Sequence, residues 1–247
     1  MEGTRSSRPL LAASARPRTG VLVAGCAVLV AVLGVLFAHQ STPDGFDHAV
    51  DAPIVTWFAG RPGLALRLAY PGTMIPAIVL SVVIAVACLI TRRFRGAVLA
   101  VAAVPAAVEL CEVLVKPLVH RTYIGQVAYP SGHTAAIFAL AAMVTVLLFV
   151  PPRPAMPRPL RILILAVAYL AAVAVVVGVI GVRFHYFTDT VAGAAVGIGT
   201  VCGLALVLDL IPAVRPSRIP RRSAATRSRG TAVQPAGSRG PDRAAPG

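Results

Sequence analysis

Apolar residues in this chain gather in long blocks rather than in helical stripes or alternating runs. Six blocks stand out, at about 20–38, 65–90, 96–115, 134–150, 162–182 and 190–211, each 17 to 26 residues long. At 1.5 Å of rise per residue, such lengths cross a hydrocarbon core of roughly 30 Å. Lipid gives backbone N–H and C=O groups no partners, so the blocks are expected to be helices that satisfy their own hydrogen bonds. The pattern predicts an all-α fold, a six-transmembrane-helix bundle. Its division is a basic N-terminus over 1–19, a membrane domain over 20–212 and a basic tail over 213–247. The tail, rich in Arg, Pro, Ser, Ala and Gly and without periodicity, reads as disordered. It either touches anionic head groups or serves only to hold the topology.

Composition agrees with the pattern. Charged residues are 13% of the 247 positions and hydrophobic residues 57%, where a soluble domain carries about a quarter charged residues. The formal charge of +14 raises nucleic acid as a partner, but the basic residues lie in short clusters between the apolar blocks. That distribution describes topology and excludes a nucleic-acid reading. Eighteen of the 23 basic residues fall on one side of a six-span arrangement: before the first block, around Arg92 to Arg95, around Arg153 to Arg161, and from Arg215 to Arg243. The positive-inside rule then expects both termini in the cytoplasm and the segments after helices 1, 3 and 5 outside. The first block lacks a clear cleavage site and reads as a span, not a removable signal. Cys26, Cys88, Cys111 and Cys202 all fall inside apolar blocks and form no CxxC pair; they read as small buried hydrophobes.

Candidate chemistry collects in the outer segments. The first, Thr42 to Gly63, is either a short amphipathic helix with Trp57 as an interfacial anchor or a structured loop. The second runs from Lys116 through His120 and Arg121 to Pro130-Ser131-Gly132-His133, and the third carries Arg183, His185 and Asp189. Lys116 is the single lysine among 22 arginines, which points to a site role. Ser131 suits an N-cap, and Gly132 leaves a helix N-terminus open to close approach by an anion. Capping alone also explains Ser131, and His133 reads either as a site residue beside the anion or as an interfacial histidine. His185 and Asp189 are four apart and share a helix face. The carboxylate either orients the imidazole or simply suits the positive end of a helix dipole. Lys116, Arg121 and Arg183 are three cations near membrane depth, where charges are costly and are usually functional or paired. Glu112, four before Lys116, is expected to pair with Lys116 or Arg121, to orient it or only to support packing. No carboxylate cluster suits Mg²⁺, so no metal or cofactor is expected.

These residues resemble the type 2 phosphatidic acid phosphatase (PAP2) family, whose core is shared with vanadium haloperoxidases. The family pattern is K-x6-R-P, then P-S-G-H, then S-R-x5-H-x3-D. Here the second part is intact at Pro130 to His133, the third keeps His185 and Asp189, and the first keeps Lys116. Tyr123 and Ile124 stand at the first motif's arginine and proline, and Gly178 and Val179 at the third motif's serine and arginine. Arg121, two positions before one of these changes, and Arg183, four after the other, are expected to replace the missing clamp.

The resemblance implies a metal-independent membrane lipid phosphatase acting on a lipid-linked phosphate monoester or diphosphate on the outer face of the cytoplasmic membrane. It implies that His185 attacks phosphorus with Asp189 orienting it, and that His133 protonates the leaving oxygen and then activates water. Lys116, Arg121, Arg183, Ser131 and Gly132 would bind the phosphoryl oxygens. The expected partners are the lipid substrate and the bilayer. A phosphotransferase with the same covalent intermediate, and a non-catalytic binder or transporter of lipid phosphates, remain alternatives.

Overall fold

The structure is a computed structural model in which residues 9–149 and 156–211 are described. The 213–247 tail lies outside the described residues. Helix α1 spans Arg16–Phe37, α2 Gly45–Phe58, α3 Pro62–Ala69, α4 Met74–Ile90 and α5 Phe94–Glu109. A π-helical turn, Leu110–Val115, leads into α6, Lys116–Val119. Strands β1 (Thr122–Tyr123) and β2 (Gln126–Val127) form a two-stranded hairpin. Helices α7 (Gly132–Phe149), α8 (Arg158–Gly181) and α9 (Phe187–Leu210) complete the bundle. Five helical stretches are long and apolar enough to cross a membrane, and six if one bent pair counts as a single span. The all-α membrane bundle expected from the apolar blocks is what forms.

The bent pair is a refinement of the second block. Residues Pro62–Gly72 and Met74–Ile90 meet at 40°, where Pro71, Gly72 and Pro76 crowd together. Proline removes an N–H and clashes with the preceding turn, so a continuous helix cannot pass. The π-helical turn has a similar cause. Pro117 has no N–H to offer the carbonyl four residues before it, and a wider turn with shifted bonding accommodates the loss.

Helices α7 and α9 form the centre of the bundle. Gly193 and Gly197 on α9 lie so close to the backbone of Ser131, just before α7, and of Ala135 on α7 that a Cβ at either position would collide. The G-x3-G spacing puts both glycines on one face and lets two backbones approach, the usual route to tight helix packing in lipid. The core around them is apolar and draws on α5 and α8 as well, with Leu99, Ala103, Val104, Ala139, Met143, Val175, Val201 and Ala205 all buried.

Each end of the bundle has its own polar ties. At one end Asp209 accepts from the Leu10 and Leu11 N–H groups at 2.8 and 2.9 Å and pairs with Arg95 at 3.2 Å and Arg16 at 3.6 Å. The starts of α1 and α5 and the end of α9 therefore lie together. At the other end, the His39 N–H donates to Val119 O, the Thr122 N–H to Gln40 O, and the Ser131 N–H to Asp189 O. This second end holds every candidate site residue.

Candidate active site

A cleft of about 450 Å³ opens at that second end. It is lined by Glu112 and Lys116, by the hairpin residues Tyr123, Ile124 and Gln126, by Gly132 and His133, and by Arg183, Phe184 and His185. Three turns of backbone build it. The π-helical turn presents Glu112 and Lys116. The hairpin turns through Ile124 and Gly125, both at positive φ (47° and 75°), the two-residue arrangement that matches strand twist. The loop after α8 closes as a Schellman motif: Phe184 N–H donates to Val179 O and Arg183 N–H to Ile180 O, both at 2.9 Å. Arg183 sits at the left-handed position of that motif, φ 60°, where glycine is usual. A non-glycine residue there costs about 1–2 kcal/mol, and strain of this kind is tolerated at functional sites.

The two histidines meet in this cleft. Their ring centroids are 6.0 Å apart at an interplanar angle of 62°. His185 Nδ1 lies 2.9 Å from the carbonyl oxygen of Ala128. A carbonyl only accepts, so Nδ1 carries the proton and Nε2 keeps its lone pair. Burial, then the neighbouring His133 and Lys116, push the His185 pKa down to about 3, against the opposing pull of the Ala128 carbonyl. The imidazole is therefore neutral at ordinary pH, with the Nε2 lone pair free. His133 packs its ring against Phe184, 6.0 Å between centroids. Lys116 pairs with Glu112, Nζ to the two oxygens at 2.6 and 2.8 Å, one of the two pairings expected from the sequence. Arg183 is exposed on the cleft rim, and no ion pair is formed by it among the described residues.

Three of the residues expected in the cleft lie elsewhere in the fold. Arg121 is fully buried behind the cleft. Its Nη1 donates to Thr188 Oγ1 and Asp189 Oδ1, each at 2.7 Å, and its Nη2 to Asp47 Oδ2 at 2.5 Å. The guanidinium is stacked between Phe37 and Tyr186, 4.2 and 4.4 Å from their ring centroids. Burial acts to lower the Arg121 pKa, but Asp189 and Asp47 outweigh it, so the pKa is raised and the charge stays. With both terminal nitrogens committed to carboxylates, Arg121 is not a phosphate clamp in this structure. That expectation is corrected.

Asp189 likewise does not orient His185. Its Oδ1 takes Arg121 and its Oδ2 takes the Tyr186 N–H at 2.9 Å, closing the first turn of α9. The task of fixing the His185 tautomer falls to the Ala128 carbonyl instead. Ser131 is buried and caps α7, accepting from the Thr134 N–H at 3.3 Å, and it does not line the cleft. Of the two readings of Ser131, capping is the one the geometry realises.

Sequence reasoning missed Asp47. It lies on α2, 74 positions before Arg121, and is fully buried. Besides Arg121 it accepts from the Thr188 N–H at 2.9 Å and the Thr188 hydroxyl at 2.8 Å. Its only sequence signal was an acidic residue in the first turn of a helix after Asp44, whose side chain caps that turn by accepting from the Asp47 N–H at 2.7 Å. Of the two readings of Thr42 to Gly63, the helix forms. Trp57 stays exposed, with Arg61 lying 4.6 Å over its ring. The altered motif positions are also accounted for. Val179 is buried in the core, Gly178 is pressed against the backbone of α3 at Leu68 and Ala69, and Tyr123 packs on Tyr186 with 4.2 Å between ring centroids. An arginine at position 179 would have to enter an apolar interior.

The family model described as PAP2 superfamily matches residues 76–210, from α4 through α9. The chain belongs to the PAP2 superfamily. No curated protein and no solved structure matches it. The family match covers Lys116, the intact Pro130 to His133 stretch, His185 and Asp189. A PAP2 chain built of five or six apolar spans is, in general terms, a membrane phosphatase, a phosphoric ester hydrolase held in a bilayer.

Proposed function

We propose that this PAP2 chain hydrolyses a lipid-linked phosphate monoester or diphosphate through a phosphohistidine on His185. The observation that carries the reading is the tie between His185 Nδ1 and Ala128 O, which leaves Nε2 as the unprotonated nitrogen beside His133. Nε2 attacks phosphorus as the bond to the ester oxygen breaks, and His133 gives that oxygen its proton. In the second step His133 takes a proton from water, the water oxygen bonds to phosphorus, and the P–N bond breaks to release inorganic phosphate. Lys116, Arg183 and the backbone N–H of Gly132 at the start of α7 stabilise charge on the phosphoryl oxygens. These groups supply the positive charge for phosphoryl transfer, so activity is expected to survive chelators.

The membrane setting supports a lipid substrate. The cleft lies at a bundle end flanked by apolar helices, where an embedded tail places its phosphate at head-group level. The end tied by Asp209, Arg16 and Arg95 also carries Arg18, Arg92 and Arg93 at the helix ends of α1, α4 and α5. By the positive-inside rule that end faces the cytoplasm and the cleft faces out.

The test is a panel of lipid monophosphates and diphosphates given to purified protein and to His185→Ala. The wild type is expected to release inorganic phosphate, and His185→Ala to lose at least about a thousandfold in kcat. Phosphate appearing on a second lipid instead of in solution would assign a transferase. Full activity in His185→Ala would refute the covalent route.

A further inference from the structure

The cleft holds an anion of its own. Glu112 accepts from Lys116 Nζ through both oxygens. Its Oε1 also lies 2.8 Å from the point where a Cβ on Gly132 would stand, so the carboxylate rests against the first residue of α7. A Cβ at 132 would push the carboxylate aside. Helix α7 is 18 residues long, and its first N–H groups have no partners within the helix. Glu112 therefore holds the Lys116 ammonium and lies beside the start of α7, the two features that the phosphatase reading assigns to phosphoryl oxygens. Its side chain is 45% exposed, against 17% for Lys116. The carboxylate has solvent to swing into, and the ammonium stays in place.

The cleft also has few cations. Val179 and Tyr123 fill the places of the two family arginines, and Arg121 is committed to Asp47 and Asp189. Lys116 and Arg183 are left at the cleft, and one of them is neutralised by Glu112. A carboxylate and a phosphate cannot both hold Lys116 without like-charge repulsion.

Resting on the phosphatase reading, we propose that Glu112 is a displaceable internal anion that competes with the phosphoryl group for Lys116 and the start of α7. Substrate moves it toward solvent. After hydrolysis it returns to Lys116 and displaces inorganic phosphate, the second product. Glu112 thus weakens product retention, and it sets the affinity of the cleft without touching the reacting bond.

The test is calorimetric titration of inorganic phosphate into the full-length protein in lipid nanodiscs, with Glu112→Gln, Lys116→Gln and the double variant alongside the wild type. Glu112→Gln is expected to bind phosphate roughly tenfold tighter, and the gain is expected to vanish in the Lys116→Gln background. Glu112→Ala should behave as Glu112→Gln does, with thermal melts confirming that each variant is folded. Equal, weaker or undetectable binding by folded Glu112→Gln overturns the proposal, and so does a gain that persists without Lys116. The titration needs no turnover. Failure of the phosphatase reading would show separately, as no phosphate release by the wild type from any lipid phosphate.

Discussion

Two arginines that look equivalent in the sequence end in opposite settings. Arg183 stands on the rim of the open cleft, at a strained backbone position, without an ion pair among the described residues. Arg121 lies sealed between two aromatic rings with Asp47 and Asp189 on its terminal nitrogens. A cation serves a substrate only while its donors are uncommitted. The difference is therefore between a cleft residue available for chemistry and a buried pin that fixes the cleft's back wall. The pin still bears on the site. The Arg121 carbonyl accepts from the Ala128 N–H at 2.9 Å, which closes the hairpin, and the Ala128 carbonyl holds His185. Arg121 positions His185 through backbone, at one remove.

The contrast is tested most severely at Arg121. Arg121→Ala leaves Asp47 and Asp189 buried without their cation, and losing one partner of such a cluster costs about 3–5 kcal/mol. A large fall in Tm is expected. A variant that kept its Tm while losing phosphate affinity would make Arg121 a clamp after all.

Arg183 should show the reverse behaviour. Arg183→Ala is expected to lower kcat/KM by roughly 10- to 100-fold, the scale of one charged contact to a phosphoryl group, with little change in Tm. Arg183→Gly separates charge from backbone, because glycine relieves the left-handed strain. It should lose the same activity while its stability holds or rises by about 0.5–1 kcal/mol. Loss of stability in both variants would assign Arg183 to packing.

The smallest effect concerns Asp51, at the edge of the buried cluster. One of its carboxylate oxygens is buried without a hydrogen-bond partner. Burial first, then the nearby Asp47 charge, raises its pKa to about 7. A carboxyl whose folded pKa lies above the unfolded value holds its extra proton below that folded pKa. Its stabilising contribution is fully present below about pH 3.9 and is lost as pH rises through about 7. Asp51→Asn should remove that slope and stabilise the protein at about pH 8 by roughly 1–3 kcal/mol, with little effect near pH 4. Equal Tm differences at both pH values would contradict it.

Much of the fold was legible because spanning helices leave an unmistakable apolar signature. Its breaks were legible only in part: Pro71, Gly72 and Pro117 were visible in the sequence, but their consequences depend on whether the helix bends or widens. Of the residues that line the cleft, Lys116, Gly132, His133 and His185 stand out in the sequence through their residue types and spacing, which follow the family pattern. The fate of Arg121 was not legible. Its partner Asp47 is 74 positions distant, in a stretch that reads as either loop or interfacial helix. Spacing gives a residue its face, whereas the number of donors already taken depends on tertiary contacts. Asp189 was misread for the same reason: a four-residue interval puts it on the same helix face as His185, yet Arg121 and the Tyr186 N–H claim its oxygens first.

The central claim is that phosphorus becomes bonded to His185. A single-turnover reaction with phosphorus-labelled lipid phosphate, quenched in alkali where phosphohistidine survives, tests it directly. The account predicts label on the peptide containing His185 in the wild type and none in His185→Asn. Turnover by the wild type with no protein-bound label at any time, or label retained in His185→Asn, would contradict it.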